Sequence, residues 1–233
     1  MLAVGGLAVA DLDNGPQESG SVANVVDVTS GADTEFGSLR QVADPPGAAE
    51  LWARRITGAG VGVAVIDTGV APVAALRDQV VAAVDVSSEQ YDPFARLVDN
   101  HGHGTFEAGI IAGRDDATGF TGIAPGAHIV SVKVAGRSGD VTLEGLVAGV
   151  EWTIENADEF DIRVINLALD TGDASDYRSN ALAAALERAW DAGITVVTAA
   201  GNGGTETNGL GLPASDPLVI AVGGVEATQG GMI

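Results

Sequence analysis

The chain has 233 residues, of which 46% are hydrophobic, so it is long enough to bury the core of one large domain or of two small ones. It carries 32 acidic and 11 basic side chains, a net charge of −21, which argues against nucleic acid as a partner because little could neutralise a phosphate backbone. It has no cysteine, which excludes disulfides, thiol catalysis and cysteine–zinc sites.

The first segment, residues 1–47, is rich in Gly, Ser, Asp and Pro and closes with Pro45, Pro46 and Gly47. This composition predicts an N-terminal extension or linker. The opening residues lack the basic stretch of a secretion signal, and no later segment is apolar for long enough to span a membrane. We therefore expect no membrane partner.

Strands are predicted wherever an apolar run of strand length follows. Such runs occupy residues 61–67, 129–134, 163–169, 194–200 and 218–225, and a shorter one lies around residues 80–86. Because these runs are almost continuously apolar, they are typical of strands that are covered on both faces.

Helices are predicted between these runs by apolar residues at helical spacing. One stripe runs from Leu143 to Ile154 with Thr142 as N-cap, and another from Leu182 to Trp190 with Ser179 as N-cap and an end at Gly193. Alternating strands and helices indicate an α/β domain over residues 48–233. Its architecture is a doubly wound, mostly parallel sheet with helices on both faces.

Polar residues follow two of the predicted strands. Asp67 ends the first strand and Asn202 comes shortly after the run at 194–200. Since sites in such sheets form at the carboxyl ends of the strands, we expect both residues near a functional site.

Two of the three histidines, His101 and His103, lie in the stretch DNHGHGTFEAG. This stretch is open to three interpretations. It is a polar loop before a helix, or a metal-binding pair that needs further ligands such as the nearby Asp99, or the source of a general base. The third histidine, His128, lies in a separate stretch.

The general-base interpretation needs a carboxylate that orients the imidazole, and Asp67 qualifies. It also needs a hydrogen-bond donor for an oxyanion, which the side-chain amide of Asn202 would supply. Metal catalysis is the weaker alternative because no second pair of ligands is evident in the sequence.

Three segments, VAVIDTGV, HGHGTFEAGIIAG and VVTAAGN, occur in that order, and the connections GFTGIAPGAHIVSVKV and RVINLAL lie between the second and third. Together they resemble the signature segments of the subtilisin-like serine peptidases, the subtilases. The resemblance covers roughly residues 48–225. It implies a subtilisin-like fold, endopeptidase activity on protein substrates, and an extracellular location.

By this resemblance the catalytic aspartate is Asp67, the catalytic histidine is His103 because it directly precedes Gly-Thr, and the oxyanion asparagine is Asn202. His101 then lies in the approach loop. We expect His103 to open a helix and Glu107, in its first turn, to interact favourably with the helix dipole, although the family usually has an apolar residue at the position of Glu107.

Subtilases hold an extended peptide between two edge segments. The second segment departs from the usual Ser-Leu-Gly, since Ala168 lacks the hydroxyl and Asp170 places a carboxylate where glycine leaves room. That carboxylate is either an ordinary solvated side chain, or it biases the first pocket toward basic or small substrate residues. By motif, the segments are Gly139, Asp140 and Val141, and Ala168, Leu169 and Asp170.

The resemblance implies no required cofactor and leaves open whether the chain binds calcium. The loop at residues 114–120 lies where many subtilases carry a calcium loop, and Asp116 could be a ligand. The distant carboxylate partner would fall near residues 73–76, which contain none, and Asp78 lies just beyond.

The nucleophile of the family is a serine in a Gly-Thr-Ser segment after the oxyanion asparagine. After Asn202 the only serine in the sequence is Ser215, which lies in the unrelated context LPASDP. We therefore expect the chain to be truncated before the nucleophile, inactive alone, and completed by a C-terminal segment. The alternative is a non-catalytic subtilase-like module that binds peptides or a partner chain.

Overall fold

The computed structural model describes residues 47–171, 176–202 and 210–224, and the backbone of 227–228 and 231–232. The predicted extension at residues 1–47 therefore lies outside the described part, apart from Gly47. The strands are β1 (Gly62–Asp67), β2 (Val80–Asp85), β3 (Arg114–Asp115), β4 (Phe120–Thr121), β5 (His128–Lys133), β6 (Ile162–Leu167), β7 (Thr195–Ala199), β8 (Ile220–Val222), β9 (Ala227–Thr228) and β10 (Gly231–Met232). The helices are α1 (Ala48–Ala53), α2 (His103–Ala112), α3 (Leu143–Glu155) and α4 (Ala181–Asp191), with 3-10 turns at Ala74–Leu76 and Tyr177–Ser179.

Within the described residues, six strands form one parallel sheet in the order β2-β5-β1-β6-β7-β8. Two short antiparallel pairs, β3 with β4 and β9 with β10, lie apart from it. The predicted α/β class, with its mostly parallel sheet, is confirmed.

The core has two layers, one on each face of the sheet. Ala64 and Ile66 of β1 pack with residues of α3 and α4, while their neighbours Val63 and Val65 pack with residues of α2. Because alternate side chains of a strand point to opposite faces, burial of both sets requires a continuous apolar run. This explains why the central strands do not alternate between apolar and polar residues.

The helix caps follow the prediction in one case and depart from it in the other. Thr142 caps α3, since its Oγ1 accepts a hydrogen bond from the backbone N–H of Gly145 at 3.0 Å. Ser179 does not cap α4. That role belongs to Asn180, whose Oδ1 accepts from Leu182 N at 2.9 Å, while Ser179 ends the preceding 3-10 turn.

The sheet reverses its winding at β1. Helix α2 covers one face before the chain enters β5, and α3 then crosses the opposite face to β6 on the other side of β1. In an open α/β sheet, ligand sites form at such a switch point, outside the carboxyl ends of the strands. Asp67 is the last residue of β1 and lies at this point. No helix among the described residues has both the length and the apolar character needed to cross a membrane.

Candidate active site

The loop before α2 is organised by the carboxylate of Asp99. Its Oδ1 accepts hydrogen bonds from Thr68 Oγ1 (2.9 Å) and from the backbone N–H groups of His101 (3.0 Å) and Gly102 (2.7 Å). Its Oδ2 accepts from the backbone and hydroxyl of Thr105. Burial would raise the pKa of Asp99, but these donors outweigh burial and lower it. Asp99 therefore fixes the path of the chain into the helix.

Two glycines allow that path. Gly102 precedes α2 with a φ of 103°, a left-handed conformation that side chains rarely adopt. At Gly104 a Cβ would lie 2.2 Å from the carbonyl oxygen of Gly69, so only glycine allows the first turn of α2 to approach the end of β1. The backbone N–H of Gly104 donates to Thr68 Oγ1 at 2.9 Å across the same gap.

This close approach brings His103 against Asp67. The Nδ1 atom of His103 lies 2.8 Å from both Oδ1 and Oδ2 of Asp67, and the side chains are 5% and 0% exposed, respectively. Because a carboxylate can only accept, Nδ1 carries the proton in the neutral imidazole, and Nε2 has a lone pair to accept another proton. The backbone N–H of Thr68 donates to Asp67 Oδ1 at 2.7 Å and holds the carboxylate in place.

The surroundings of His103 favour its charged form. Burial lowers the pKa of the imidazole, but the hydrogen bond and charge of Asp67 outweigh burial, and the charges of Glu107 and Asp99 add to their effect. The pKa of His103 is therefore raised above its usual value. A histidine oriented in this way by a buried carboxylate is equipped to act as a general base.

Glu107 corrects one expectation. It is only 4% exposed, and α2 has no acidic residue in its first turn, so Glu107 does not act as a solvated partner of the helix dipole. Its pKa is raised to about 7, with burial as the largest cause. The spacing of four residues from His103 placed both on one face of the helix, and this signal in the sequence could have predicted its burial.

The other two histidines lie apart from Asp67. His101 is exposed, with its ring centre 6.4 Å from that of His103. His128 Nε2 lies 2.7 Å from the carbonyl oxygen of Phe160, at the amino end of β5. Of the two histidines in the loop, only His103 contacts Asp67.

Asn202 lies just beyond the carboxyl end of β7 and is exposed. β1, β6 and β7 are neighbouring parallel strands, so their carboxyl ends lie at the same edge of the sheet. Asn202 and Asp67 therefore lie at that edge. The backbone N–H of Asn202 donates to Asp170 Oδ2 at 3.2 Å. Asp170 is half-buried, and its carboxylate therefore faces the segment that carries the predicted oxyanion donor.

The two predicted substrate segments border one cleft. It has a volume of about 280 Å³, and each segment contributes one lining residue, Val141 and Asp170, respectively. Of the remaining segment residues, Asp140 is exposed, whereas Gly139 and Leu169 are buried and Ala168 is half-buried. The cleft is lined by Val141, Leu143, Leu146, Asp170, Thr171, Asn180 and Leu182.

In the loop at residues 114–120, where calcium binding was left open, the carboxylate of Asp115 is engaged within the loop. The carboxylate of Asp115 accepts from Ala117 N (3.0 Å) and Thr118 Oγ1 (2.7 Å) of its own loop. Nowhere in the described ranges do three or more His, Cys, Asp or Glu side chains form a group that could hold a metal ion. Calcium binding by Asp116 or Asp78 stays a prediction.

Comparison with known families decides the relationship. The model of the subtilase family matches residues 58–233. The chain belongs to the subtilase family. As a subtilase, it is 39% identical over 182 residues to Subtilisin DY of Bacillus licheniformis, an alignment that covers 77% of this chain and 62% of that protein.

Two further relatives come from Bacillus subtilis (strain 168). This subtilase is 32% identical to Minor extracellular protease Epr, covering 84% of this chain and 28% of that protein, and 33% identical to Major intracellular serine protease, covering 78% and 56%. The chain therefore spans less than two thirds of the length of each of these relatives.

Proposed function

We propose that this subtilase is a serine endopeptidase in which His103 is the general base, Asp67 orients and stabilises it, and Asn202 donates to the oxyanion. The observation that carries the proposal is the contact of His103 Nδ1 with both carboxylate oxygens of Asp67 at 2.8 Å. It leaves Nε2 as the proton acceptor at the end of the central strand, where substrates bind in this class of sheet.

In the proposed mechanism a serine hydroxyl attacks the peptide carbonyl while Nε2 of His103 takes its proton. Asp67 stabilises the imidazolium that forms. The amide of Asn202 and a backbone N–H stabilise the tetrahedral oxyanion. His103 then returns the proton to the leaving amine, and water hydrolyses the acyl-enzyme by the same steps.

The serine nucleophile belongs to a complementary C-terminal segment in this proposal. Ser215, the only serine after Asn202, lies in the turns before β8 and has no family context for the role. The 233-residue chain alone is accordingly proposed to be inactive, since a triad without its nucleophile retains little catalysis.

The proposed substrate is an extended peptide held by backbone hydrogen bonds between residues 139–141 and 168–170. Two features support this. Both segments border the cleft, and its lining is mostly apolar, which suits a substrate side chain. The carboxylate of Asp170 would favour basic or small residues in the first pocket. An extracellular location is part of the proposal, although relatives of both locations exist by name.

The test is hydrolysis of a denatured protein substrate by the product of the whole gene, with variants of the two loop histidines. His103→Ala should lose about 10⁴- to 10⁶-fold in rate, a range taken from subtilisin triad variants. His101→Ala is the matched control and should retain most of the activity. Equal losses in the two variants, or full activity in His103→Ala, would overturn the assignment.

The second candidate is a non-catalytic module that binds peptides or a partner chain, favoured by the cleft that the two substrate segments border through Val141 and Asp170. It predicts that the gene product binds unfolded polypeptide without cleaving it. The same hydrolysis assay, followed by a pull-down with the uncleaved substrate, separates the two candidates.

A further inference from the structure

Glu107 is a buried carboxyl group beside the acid–base pair that the proposed mechanism does not use. It follows His103 by one helical turn on the same face of α2, the face that packs on the sheet through Ala108 and Ile111. The neighbouring side chains on this face, Ala108 and Ile111, are apolar, so packing alone does not require a carboxyl group here.

The sheet beneath Glu107 presents polar groups as well as apolar ones. Asp67 and Val65 share the α2 face of β1 because they are two residues apart, and Asn166 of β6 is in register with Val65. Asn166 is 5% exposed, and its Nδ2 has no well-directed hydrogen bond to the described residues. The side-chain amide of Asn166 nevertheless lowers the pKa of Glu107, which offsets part of the rise that burial causes.

The groups around Glu107 include few cations. α2 packs on β1, β5 and the 3-10 turn Ala74–Leu76, while α1 contacts it through Ala48 and β6 packs on the same cluster through Val164. The charged side chains of α1 and β6, Glu50 and Arg163, are exposed. β1 presents Asp67, the 3-10 turn has no titratable side chain, and the loop before α2 presents Asp99.

β5 carries Lys133 and His128, and both are engaged elsewhere. The Nζ of Lys133 donates to the carbonyl oxygens of Thr68 (3.0 Å) and Ala135 (2.8 Å) and lies 3.3 Å from Glu89. His128 contacts the Phe160 carbonyl oxygen at the other end of the strand. The cation that acts on Glu107 in the described structure is therefore protonated His103.

The charges of Glu107 and His103 are coupled in both directions. Burial and the charge of Asp67 raise the pKa of Glu107, whereas the charge of His103 lowers it. In return, the charge of Glu107 raises the pKa of His103. Two groups that interact in this way titrate as a pair, and their midpoints belong to the pair.

We propose that Glu107 is a positioning residue that tunes the proton affinity of His103 through a change in its own charge near neutral pH. With Glu107 neutral, the negative charges that act on His103 are those of Asp67 and Asp99; with Glu107 ionised, a third negative charge stabilises the imidazolium. The relevance to catalysis rests on the proposed function of His103. The charge interaction between Glu107 and His103 depends only on the folded chain and not on the proposed function.

The experiment is an NMR titration of the 233-residue chain from pH 4 to pH 10. The side-chain carboxyl carbon of Glu107, in protein labelled at glutamate, and the ring proton Hε1 of His103 are followed together. His101→Gln and His128→Gln variants assign the His103 signal. We expect the Glu107 carboxyl to titrate near pH 7 and the His103 signal to show a step at the same pH.

Two variants complete the test. Glu107→Gln should remove the shared step and move the His103 midpoint to lower pH. Glu155→Gln, at an exposed position of α3 on the opposite face of the sheet, should leave both unchanged. A merely structural role for Glu107 would alter unfolding without moving the His103 midpoint.

A Glu107 midpoint near its ordinary 4.5, or an unchanged His103 midpoint in Glu107→Gln, would overturn the proposal. If Glu107→Gln does not fold, the carboxyl midpoint and the step in the His103 signal of the unaltered chain still decide it. None of these measurements requires peptidase activity, so a failure of the proposed function leaves the result interpretable.

Discussion

Replacing Glu107 by glutamine should remove a large part of the pH dependence of stability. The substitution keeps the size and polarity of the side chain and deletes its ionisation. Because burial raises the pKa of Glu107 in the folded chain, the native state holds a proton that the unfolded state releases between pH 4.5 and about 7. Stability from this group is therefore present in acid and is lost as pH rises through that window.

The magnitude follows from the two pKa values. A rise from 4.5 to about 7 corresponds to about 3 kcal/mol of unfolding free energy between pH 4 and pH 8.5. His103 acts with the same sign, because its raised pKa also gives stability that is lost as pH rises through the folded value. Since loss of the Glu107 charge lowers that pKa, Glu107→Gln should reduce this contribution as well.

The assay is urea unfolding of the unaltered chain, Glu107→Gln and Glu155→Gln at several pH values between 4 and 8.5. The stability of Glu107→Gln relative to the unaltered chain should rise by about 3 kcal/mol across this range. Glu155→Gln should run parallel to the unaltered chain. Parallel curves for Glu107→Gln would mean that Glu107 ionises normally and would contradict the raised pKa of this group.

Four further substitutions test how the site is built. In thermal unfolding, Gly104→Ala should destabilise the chain by about 1–3 kcal/mol, because the new Cβ would meet the backbone carbonyl of Gly69. Gly109→Ala should stabilise the chain by about 0.5–1 kcal/mol, because a Cβ there has open space around it. Asp99→Ala should cost about 2–3 kcal/mol in urea unfolding, because the N–H and hydroxyl donors it accepts lose their partner; no change would contradict its role. Asp67→Asn should move the His103 midpoint in NMR titration to lower pH, and an unchanged midpoint would contradict the pairing.

The parallel sheet was predictable because it depends on a local pattern, whereas the Asp67–His103 pair, 36 positions apart, was predictable from sheet topology and from the resemblance to subtilases. A strand covered on both faces needs a continuous apolar run, and a residue at the end of a central strand lies at the switch point by topology. Thr142 was predictable as a cap for the same reason, since its hydroxyl acts within its own helix turn.

Other features depend on contacts that the linear pattern does not contain. Ser179 and Asn180 are both good N-cap residues, and the choice between them depends on the 3-10 turn that precedes α4. The hydrogen bond of Thr68 to Asp99 joins residues 31 positions apart. The burial of Glu107 contradicts the ordinary preference of carboxylates for solvent. Its four-residue spacing from His103 indicates this burial, but only the packing of α2 on the sheet establishes it.

The most direct test of the proposed function is covalent labelling of the whole gene product with a fluorophosphonate, a reagent that reacts with activated serines. We expect one labelled serine, located by peptide mass spectrometry in a Gly-Thr-Ser segment, with labelling lost in His103→Ala and retained in His101→Ala. Absence of any labelled serine, or labelling that does not depend on His103, would contradict the proposed peptidase and favour the non-catalytic binding module.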